Sequence, residues 1–174
     1  MALFNSIPHA SKSLRVLARL LGYPDDGLRG HLSELRAALH VEKALPAPRL
    51  AELDALIDTL GRKAALEVEA DYVELFDRGR ATSLHLFEHV HSESRDRGQA
   101  MVDLIKVYEE GGFTPTTEEL PDFLPLFLEY ASTLAPQDAL SLIGEPAHVI
   151  TALAERLAKR KSPYEAIFRA LLTL

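Results

Sequence analysis

The sequence predicts an all-α fold, a single-domain helical bundle of about seven to nine helices over residues 1–174. Apolar residues recur at three- and four-residue spacing along almost the whole chain, which is the period of an amphipathic helix. No segment alternates apolar and polar residues with β-branched enrichment, so strands are not expected. The 174 residues, 47% of them hydrophobic, suffice for one domain with a buried core.

The first half of the chain predicts four helices separated by glycine and proline. Their apolar stripes run over residues 14–21, 28–39, 50–60 and 66–76. A Gly-Tyr-Pro run at 22–24 ends the first helix. Asp25 can cap the second, because an aspartate side chain accepts hydrogen bonds from the free N–H groups of a helix start. Pro46, Gly61 and Gly79 mark the later boundaries.

The second half predicts an irregular segment over 78–95 and then a long helix over 94–110. The inner face of that helix is expected to carry Met101, Leu104, Ile105 and Tyr108. Thr116 with Glu119 three residues later forms a capping box, which predicts a helix start there. Pro125 bends the helix that follows or delays its start. Three more helices, opened by Pro-containing turns, reach the end of the sequence.

The charge of the chain is acidic and unevenly distributed. The formal net charge is −7, with −12 in residues 67–145 and +5 in the flanking segments. This balance argues against a general nucleic-acid binder. There is no cysteine, so disulfides, thiolate metal ligands, Fe–S ligation and a cysteine nucleophile are all excluded.

The sequence shows no sign of a membrane-inserted or secreted chain. The first residues lack the basic and apolar regions of a secretory signal. The longest stretch of low charge, 139–154, is too short and too interrupted to span a bilayer. We therefore expect a cytoplasmic protein with no direct membrane insertion.

A histidine-rich run carries the one motif that suggests metal chemistry. His85, Glu88 and His89 match the H-x-x-E-H pattern of inverted zinc peptidases. On a helix the two histidines would share a face and both reach one zinc ion, with Glu88 as general base for a bound water. The alternative is a polar network or a partner-binding edge, in which His89 and His91 hydrogen-bond nearby acids or backbone.

Two further segments have the pattern of a binding surface. Tyr72, Leu75 and Phe76 share a helical face, which is typical of core packing or of a groove for an amphipathic helix. The apolar run over 120–130 is wider than one helical stripe. Some of its large side chains are therefore expected to be partly exposed, as on a binding surface: Phe123, Leu124, Phe127 and Tyr130.

These segments resemble the NarJ family of respiratory nitrate reductase delta subunits, within the wider group of redox-enzyme maturation chaperones of the TorD and DmsD types. The residues that carry the resemblance are LLGYP at 20–24, DYVELFDRGR at 71–80, SLHLFEHVHSE at 83–93, RGQAM at 97–101 and ELPDFLPLFLEY at 119–130. The resemblance extends over nearly the whole chain. Family members usually continue into a longer polar tail, so this chain is either a short member or a truncated one.

The resemblance implies an all-helical cytoplasmic chaperone that is not an enzyme and has no cofactor of its own. Such proteins bind the N-terminal, signal-like peptide of the apo catalytic (alpha) subunit of nitrate reductase. They assist insertion of the molybdenum cofactor, and of an Fe–S cluster, before the complex docks on the membrane. Molybdenum cofactor biosynthesis proteins are further candidate partners.

The resemblance also implies which residues bind the peptide, since the wider group pairs an aromatic-x-x-Leu-Phe motif with a later Glu-x-Pro-Asp motif. The apolar groove residues are then Tyr72, Leu75, Phe76, Leu124 and Phe127. The charged contacts are Glu119 and Asp122, and the further candidates are Arg80, Glu88 and His89. The position after the aspartate, often histidine in the group, is Phe123 here, which argues against a titrating side chain there.

Three functions therefore remain in view. The first is a peptide-binding chaperone for nitrate reductase maturation, with the acidic middle of the chain around a basic, amphipathic peptide. The second is a zinc-dependent hydrolase that uses His85, Glu88 and His89. The third is a structural helical subunit that stays in a mature complex.

Overall fold

Ten α-helices lie within residues 9–116 and 118–174, which are the residues that the computed structural model describes. They are α1 Ser11–Leu20, α2 Asp26–Gly30, α3 Leu32–Glu42, α4 Ala47–Arg62, α5 Ala65–Tyr72, α6 Ser94–Glu110, α7 Leu124–Ala131, α8 Pro136–Gly144, α9 Ala147–Lys159 and α10 Glu165–Thr173. A π-helical turn, Val73–Asp77, continues α5, and a 3₁₀ turn, Leu86–His89, precedes α6. The described residues form no strand, so the all-α prediction is confirmed.

The helix count exceeds the expected seven to nine because the second predicted helix is two helices. Asp25 caps α2 as predicted, with its Oδ1 atom accepting a hydrogen bond from the Leu28 N–H at 2.8 Å. The chain then leaves helical geometry at His31, where φ is −112° and ψ is 8°. The apolar stripe continues through this break, since both Leu28 and Leu39 are fully buried.

The core is built from two helix groups that meet along the apolar stripes. Helix α1 packs against α7 and α3, and α10 packs against α9 and α4. Leu17 and Leu20 of α1, Leu128 of α7 and Phe168 of α10 are fully buried in the same core cluster. Burial of these side chains removes apolar surface from water, which is the main stabilising contribution in such a bundle.

The predicted helix start at Thr116 and Glu119 is wrong, since α7 begins only at Leu124. Pro125 occupies its first turn, where a residue without an N–H is tolerated. The residues before it pair instead with the segment that precedes the 3₁₀ turn. The Leu86 N–H donates to the Asp122 carbonyl at 3.0 Å, and the Leu124 N–H donates to the Leu84 carbonyl at 2.8 Å.

Helix α6 has the predicted bounds but only part of the predicted inner face. Leu104 and Tyr108 are buried and Met101 is partly buried, whereas Ile105 is 41% exposed, against the prediction. The helix is anchored at its C-terminal end, where Tyr108 donates to the Pro121 carbonyl at 2.6 Å and packs edge-on against Tyr130. Further towards its middle, Val102 is 46% exposed.

None of the helices within 9–116 and 118–174 combines the length and the apolar character that crossing a bilayer requires.

Candidate functional site

The first motif lies at the junction of α5 and the π-helical turn and builds an aromatic cluster of Tyr23, Tyr72, Phe76 and Tyr164. The Tyr72 ring centroid lies 4.9 Å from that of Phe76, 5.7 Å from that of Tyr23 and 6.1 Å from that of Tyr164. The Tyr72 hydroxyl donates to the Leu21 carbonyl at 2.7 Å, and burial raises the pKa of this tyrosine far above its usual value. Tyr72 and Phe76 are therefore core residues.

Leu75, the third member of the motif, is placed differently. The π-helical turn inserts an extra residue into the helix, a local geometry that is common at functional sites. Leu75 is partly buried there and lines a cleft of about 360 Å³ together with Val68, Asp71 and Tyr164. Of the three motif side chains, Leu75 is the one that a ligand can reach.

Tyr23 is the exposed edge of the aromatic cluster, with 45% of its surface accessible. Partial desolvation and the adjoining Glu69 carboxylate, which is hydrogen-bonded to the hydroxyl, raise the pKa of Tyr23, and Asp77 adds to the effect. Asp77 and Glu119 in turn contribute to the raised pKa of Tyr72, after its burial and the neighbouring Tyr164. Glu69 and Asp77 thus act electrostatically on Tyr23, and Asp77 and Glu119 on Tyr72; we name Tyr23, Glu69, Asp77 and Glu119 the Tyr23 surface.

The second motif provides a buried carboxylate. Asp122 is inaccessible to solvent, and its Oδ2 atom accepts a hydrogen bond from the Phe87 N–H at 2.9 Å. The Nδ1 atom of His85 lies 3.3 Å from Asp122 Oδ1, and this hydrogen bond raises the pKa of His85. Asp122 thus fixes the histidine-rich segment, and no part of it is available to a ligand in this conformation.

The second motif also borders a cleft between α1 and α7, of about 580 Å³, which we call the α1–α7 cleft. Glu119 and Phe123 line it together with Arg15, Arg19 and Glu129. The expectation of partly exposed aromatic side chains in the apolar run is met by Phe123. It is not met by Leu124, Phe127 and Tyr130, which are buried in the core.

The predicted site residues therefore separate into two groups. Four of the five predicted groove residues and the predicted charged contact Asp122 are buried: Tyr72, Phe76, Leu124, Phe127 and Asp122. Leu75 and Glu119 are accessible and lie in different clefts. Arg80 and Glu88 are exposed, and His89 is partly buried. Their part in peptide binding stays a prediction.

The histidines do not assemble into a ligand set for zinc. The segment forms a 3₁₀ turn and not the α-helix that would put both histidines on one face, and His85 is directed to Asp122. His89 Nε2 lies 2.8 Å from the Ser83 carbonyl oxygen, the backbone contact expected for a structural histidine, and its Nδ1 lies 3.4 Å from Arg156 Nη1. Over the described ranges, no group of three or more His, Asp or Glu side chains is arranged to hold a metal ion. The structure gives the zinc hydrolase hypothesis no support.

Sequence reasoning did not select Tyr23 or Tyr164 as site residues, and it named His85 only as a candidate zinc ligand. Tyr23 lies within the LLGYP segment that carries the family resemblance, so its position in that segment was the available signal. Tyr164 is 92 residues from Tyr72 along the chain, and no local pattern links them. The partnership of His85 with Asp122 likewise depends on chain segments that meet only in the fold.

Comparison with known proteins gives consistent matches. The family model described as "Nitrate reductase delta subunit" matches residues 25–170. The nitrate reductase molybdenum cofactor assembly chaperone NarJ of Escherichia coli (strain K12) is 46% identical over 161 residues, which are 92% of this chain and 68% of that protein. A Bacillus subtilis (strain 168) protein described as a "Probable nitrate reductase molybdenum cofactor assembly chaperone NarJ" is 32% identical over 90% of this chain and 84% of its own length.

A solved structure supports the fold. The crystal structure of a "Putative Redox Enzyme Maturation Protein" from Archaeoglobus fulgidus superimposes with a TM-score of 0.66 and covers 98% of this chain and 96% of that one. The sequence identity is 18%, so this likeness concerns the fold alone.

Proposed function

This chain belongs to the nitrate reductase delta subunit family, and on that premise we propose that it is an assembly chaperone for nitrate reductase. It binds the N-terminal peptide of the apo catalytic subunit and holds that subunit until the molybdenum cofactor is inserted. The observation that carries the proposal is the extended identity with proteins named as such chaperones. A cytoplasmic location follows from the proposal, because the apo subunit is synthesised there and must be held before it docks on the membrane.

We propose that the peptide binds at the Tyr23 surface and extends into the α1–α7 cleft. The exposed ring of Tyr23 offers apolar area and a π-face for a lysine or arginine of the peptide. Glu69, Asp25 and Asp77 place negative charge near that ring, and Glu119 places it near the Tyr72 ring behind it. Leu120, which is 53% exposed beside Glu119, extends the apolar part of the surface. An amphipathic peptide with basic residues complements this arrangement.

The buried motif residues support the site from beneath. Tyr72 holds the inner side of the Tyr23 ring, and its hydroxyl fixes the end of α1 through the Leu21 carbonyl. Asp122 fixes the turn that follows Glu119 by accepting from the Phe87 N–H. On this proposal Tyr72, Phe76, Leu124, Phe127 and Asp122 position the binding surface and do not touch the peptide.

Isothermal titration calorimetry with a synthetic N-terminal peptide of the catalytic subunit tests the proposal. We expect saturable binding of one peptide per chain, weakened several-fold by Tyr23→Ala and by Glu119→Gln. Glu34→Gln, an exposed glutamate on α3, is the matched control and should bind as the unchanged protein does. A peptide with its lysines and arginines replaced by glutamine should bind less tightly.

The salt dependence of peptide binding separates the charged contribution to the affinity from the apolar contribution. Affinity should fall as ionic strength rises, because exposed charge pairs are screened within a Debye length of about 8 Å at physiological salt. Glu119→Gln should flatten this dependence. No detectable binding at about 100 μM protein, a concentration at which even a weak peptide ligand registers, would rule out the peptide-binding function.

A further inference from the structure

Helix α6 presents an apolar stripe that the described part of the chain leaves largely exposed. One face of this helix carries Gly98, Met101, Val102 and Ile105. Their positions are related by steps of three and four residues, which place side chains on the same side of a helix. Val102 is 46% exposed and Ile105 is 41% exposed. A Cβ added at Gly98 would meet no atom within 4 Å, so the backbone at this point is open to close approach. We call this face the α6 stripe.

The charges beside the α6 stripe have a definite arrangement. At 100° per residue, Arg95 and Glu109 fall on the same flank of the stripe as Val102. They lie 14 residues apart, or about 21 Å along the helix axis. Both are exposed, and within the described part of the chain neither forms an ion pair. On this flank Arg95 carries a positive charge towards the start of the helix and Glu109 a negative charge at its end, with the exposed Lys106 between Val102 and Glu109.

Such a flank complements itself when two copies of the helix run antiparallel. In an antiparallel pair the same flank of each helix meets across the interface, and a twofold axis relates the two contacts. With Val102 on the axis, Arg95 of one copy lies opposite Glu109 of the other, and the reverse pair forms at the other end. The same register brings the apolar stripes together, with Gly98 allowing close approach.

We propose that the α6 stripe is a self-association surface, and that its occupant is a second copy of this chain in antiparallel orientation. The contact is small, because stable interfaces bury roughly 1,200–2,000 Å² and one pair of helices provides less. The dimer is therefore weak, with a dissociation constant on the order of 0.1 mM. None of the residues of the Tyr23 surface lies on α6, since that surface is built from α5, the π-helical turn and the segments at Tyr23 and Glu119.

Charge reversal tests the register directly by analytical ultracentrifugation of the full chain up to about 1 mM, a range that spans the expected constant. Arg95→Glu alone and Glu109→Arg alone each place like charges opposite one another twice, so each variant should dimerise about tenfold more weakly. An equimolar mixture of the two variants restores both pairs in a mixed dimer and should associate as the unchanged protein does. The double variant should also recover.

Apolar substitution supplies an independent readout. Val102→Glu places a charge on the twofold axis and should abolish association, whereas Val41→Glu, at an exposed valine of α3, should leave it unchanged. The proposal is overturned if the unchanged protein stays monomeric at 1 mM, or if the mixed variants associate no better than either alone. A monomeric protein whose Val102→Glu variant loses capture of the apo catalytic subunit would assign the stripe to that client instead.

Discussion

The Nδ1 atom of His85 lies 3.3 Å from the Oδ1 atom of Asp122, a carboxylate that solvent does not reach. The two residues are 37 positions apart along the chain, and each belongs to a different motif of the sequence. Their contact joins the histidine-rich segment to the start of α7. Four sets of variants test the stability that comes from this contact and from packing elsewhere in the chain.

The His85–Asp122 contact should make stability depend on pH. The hydrogen bond to Asp122 raises the pKa of His85, with smaller contributions from Glu88 and Glu119, against desolvation, which lowers it. A raised folded-state pKa means that the stabilisation is fully present below the unfolded value of about 6.5 and is lost as pH rises through the folded pKa. The loss in unfolding free energy on His85→Gln should therefore be largest at pH 5.5 and smaller at pH 8.5.

Urea denaturation at several pH values measures this difference, with His148→Gln at an exposed position of α9 as the control. A loss on His85→Gln that grows with pH would contradict the assignment. Titration of the His85 imidazole by NMR gives the direction of the pKa change independently.

Asp122 should be required for folding stability rather than for ligand affinity. Asp122→Ala leaves the buried Phe87 N–H without its acceptor, a loss expected to cost about 1–3 kcal/mol. Asp122→Asn should cost less, because the amide oxygen can still accept from that N–H. Chemical denaturation compares the two. Unchanged stability with lost peptide binding in Asp122→Ala would instead make Asp122 a contact residue.

The Tyr72 hydroxyl should make a measurable contribution to the free energy of unfolding. Tyr72→Phe removes the donor to the Leu21 carbonyl in a buried setting and should destabilise the protein by about 1–2 kcal/mol. Tyr72→Ala also opens a cavity within the aromatic cluster and should cost about 3–5 kcal/mol. Thermal or urea unfolding of both variants checks the order. Equal losses in the two would show that the hydrogen bond, and not the ring, dominates.

Two glycines near α6 should respond in opposite directions to alanine. A Cβ at Gly111 would overlap the Tyr130 hydroxyl, so Gly111→Ala should destabilise the protein by about 1–3 kcal/mol. Gly98 lies inside α6 with open space around it, so Gly98→Ala should stabilise by up to about 1 kcal/mol through helix propensity. Unfolding at low micromolar protein separates these effects. The same sign in both variants would contradict the packing described at Tyr130.

The sequence predicted the helices well where periodicity and local signals agree. The bounds of α6 and the cap of α2 by Asp25 follow from apolar spacing and from a side-chain acceptor at a helix start. The start of α7 did not follow, because Thr116 and Glu119 satisfy a local rule that the pairing of Leu124 with Leu84 overrides. A single sequence does not show that a distant backbone contact will override a local capping signal.

The sequence selected residues for the candidate site but did not show which of them are buried. The two motifs lie near one another in the fold, since the Glu119 carboxylate contributes to the raised pKa of Tyr72. They did not show that Tyr72 and Asp122 are buried while Tyr23 is exposed. Aromatic and acidic side chains occur both in core clusters and on binding surfaces. Only the folded structure therefore shows which of these side chains are exposed.

The backbone pairing of residues 84–86 with 122–124 has a consequence for the integrity of the chain. The Leu86–Asp122 and Leu124–Leu84 hydrogen bonds, the His85–Asp122 contact and the Tyr108–Pro121 bond all join the part before Thr114 to the part after it. None of them depends on the peptide link itself. A chain cleaved by a protease after Thr114 would therefore stay associated as two non-covalent fragments, and the two could be produced separately and reconstituted.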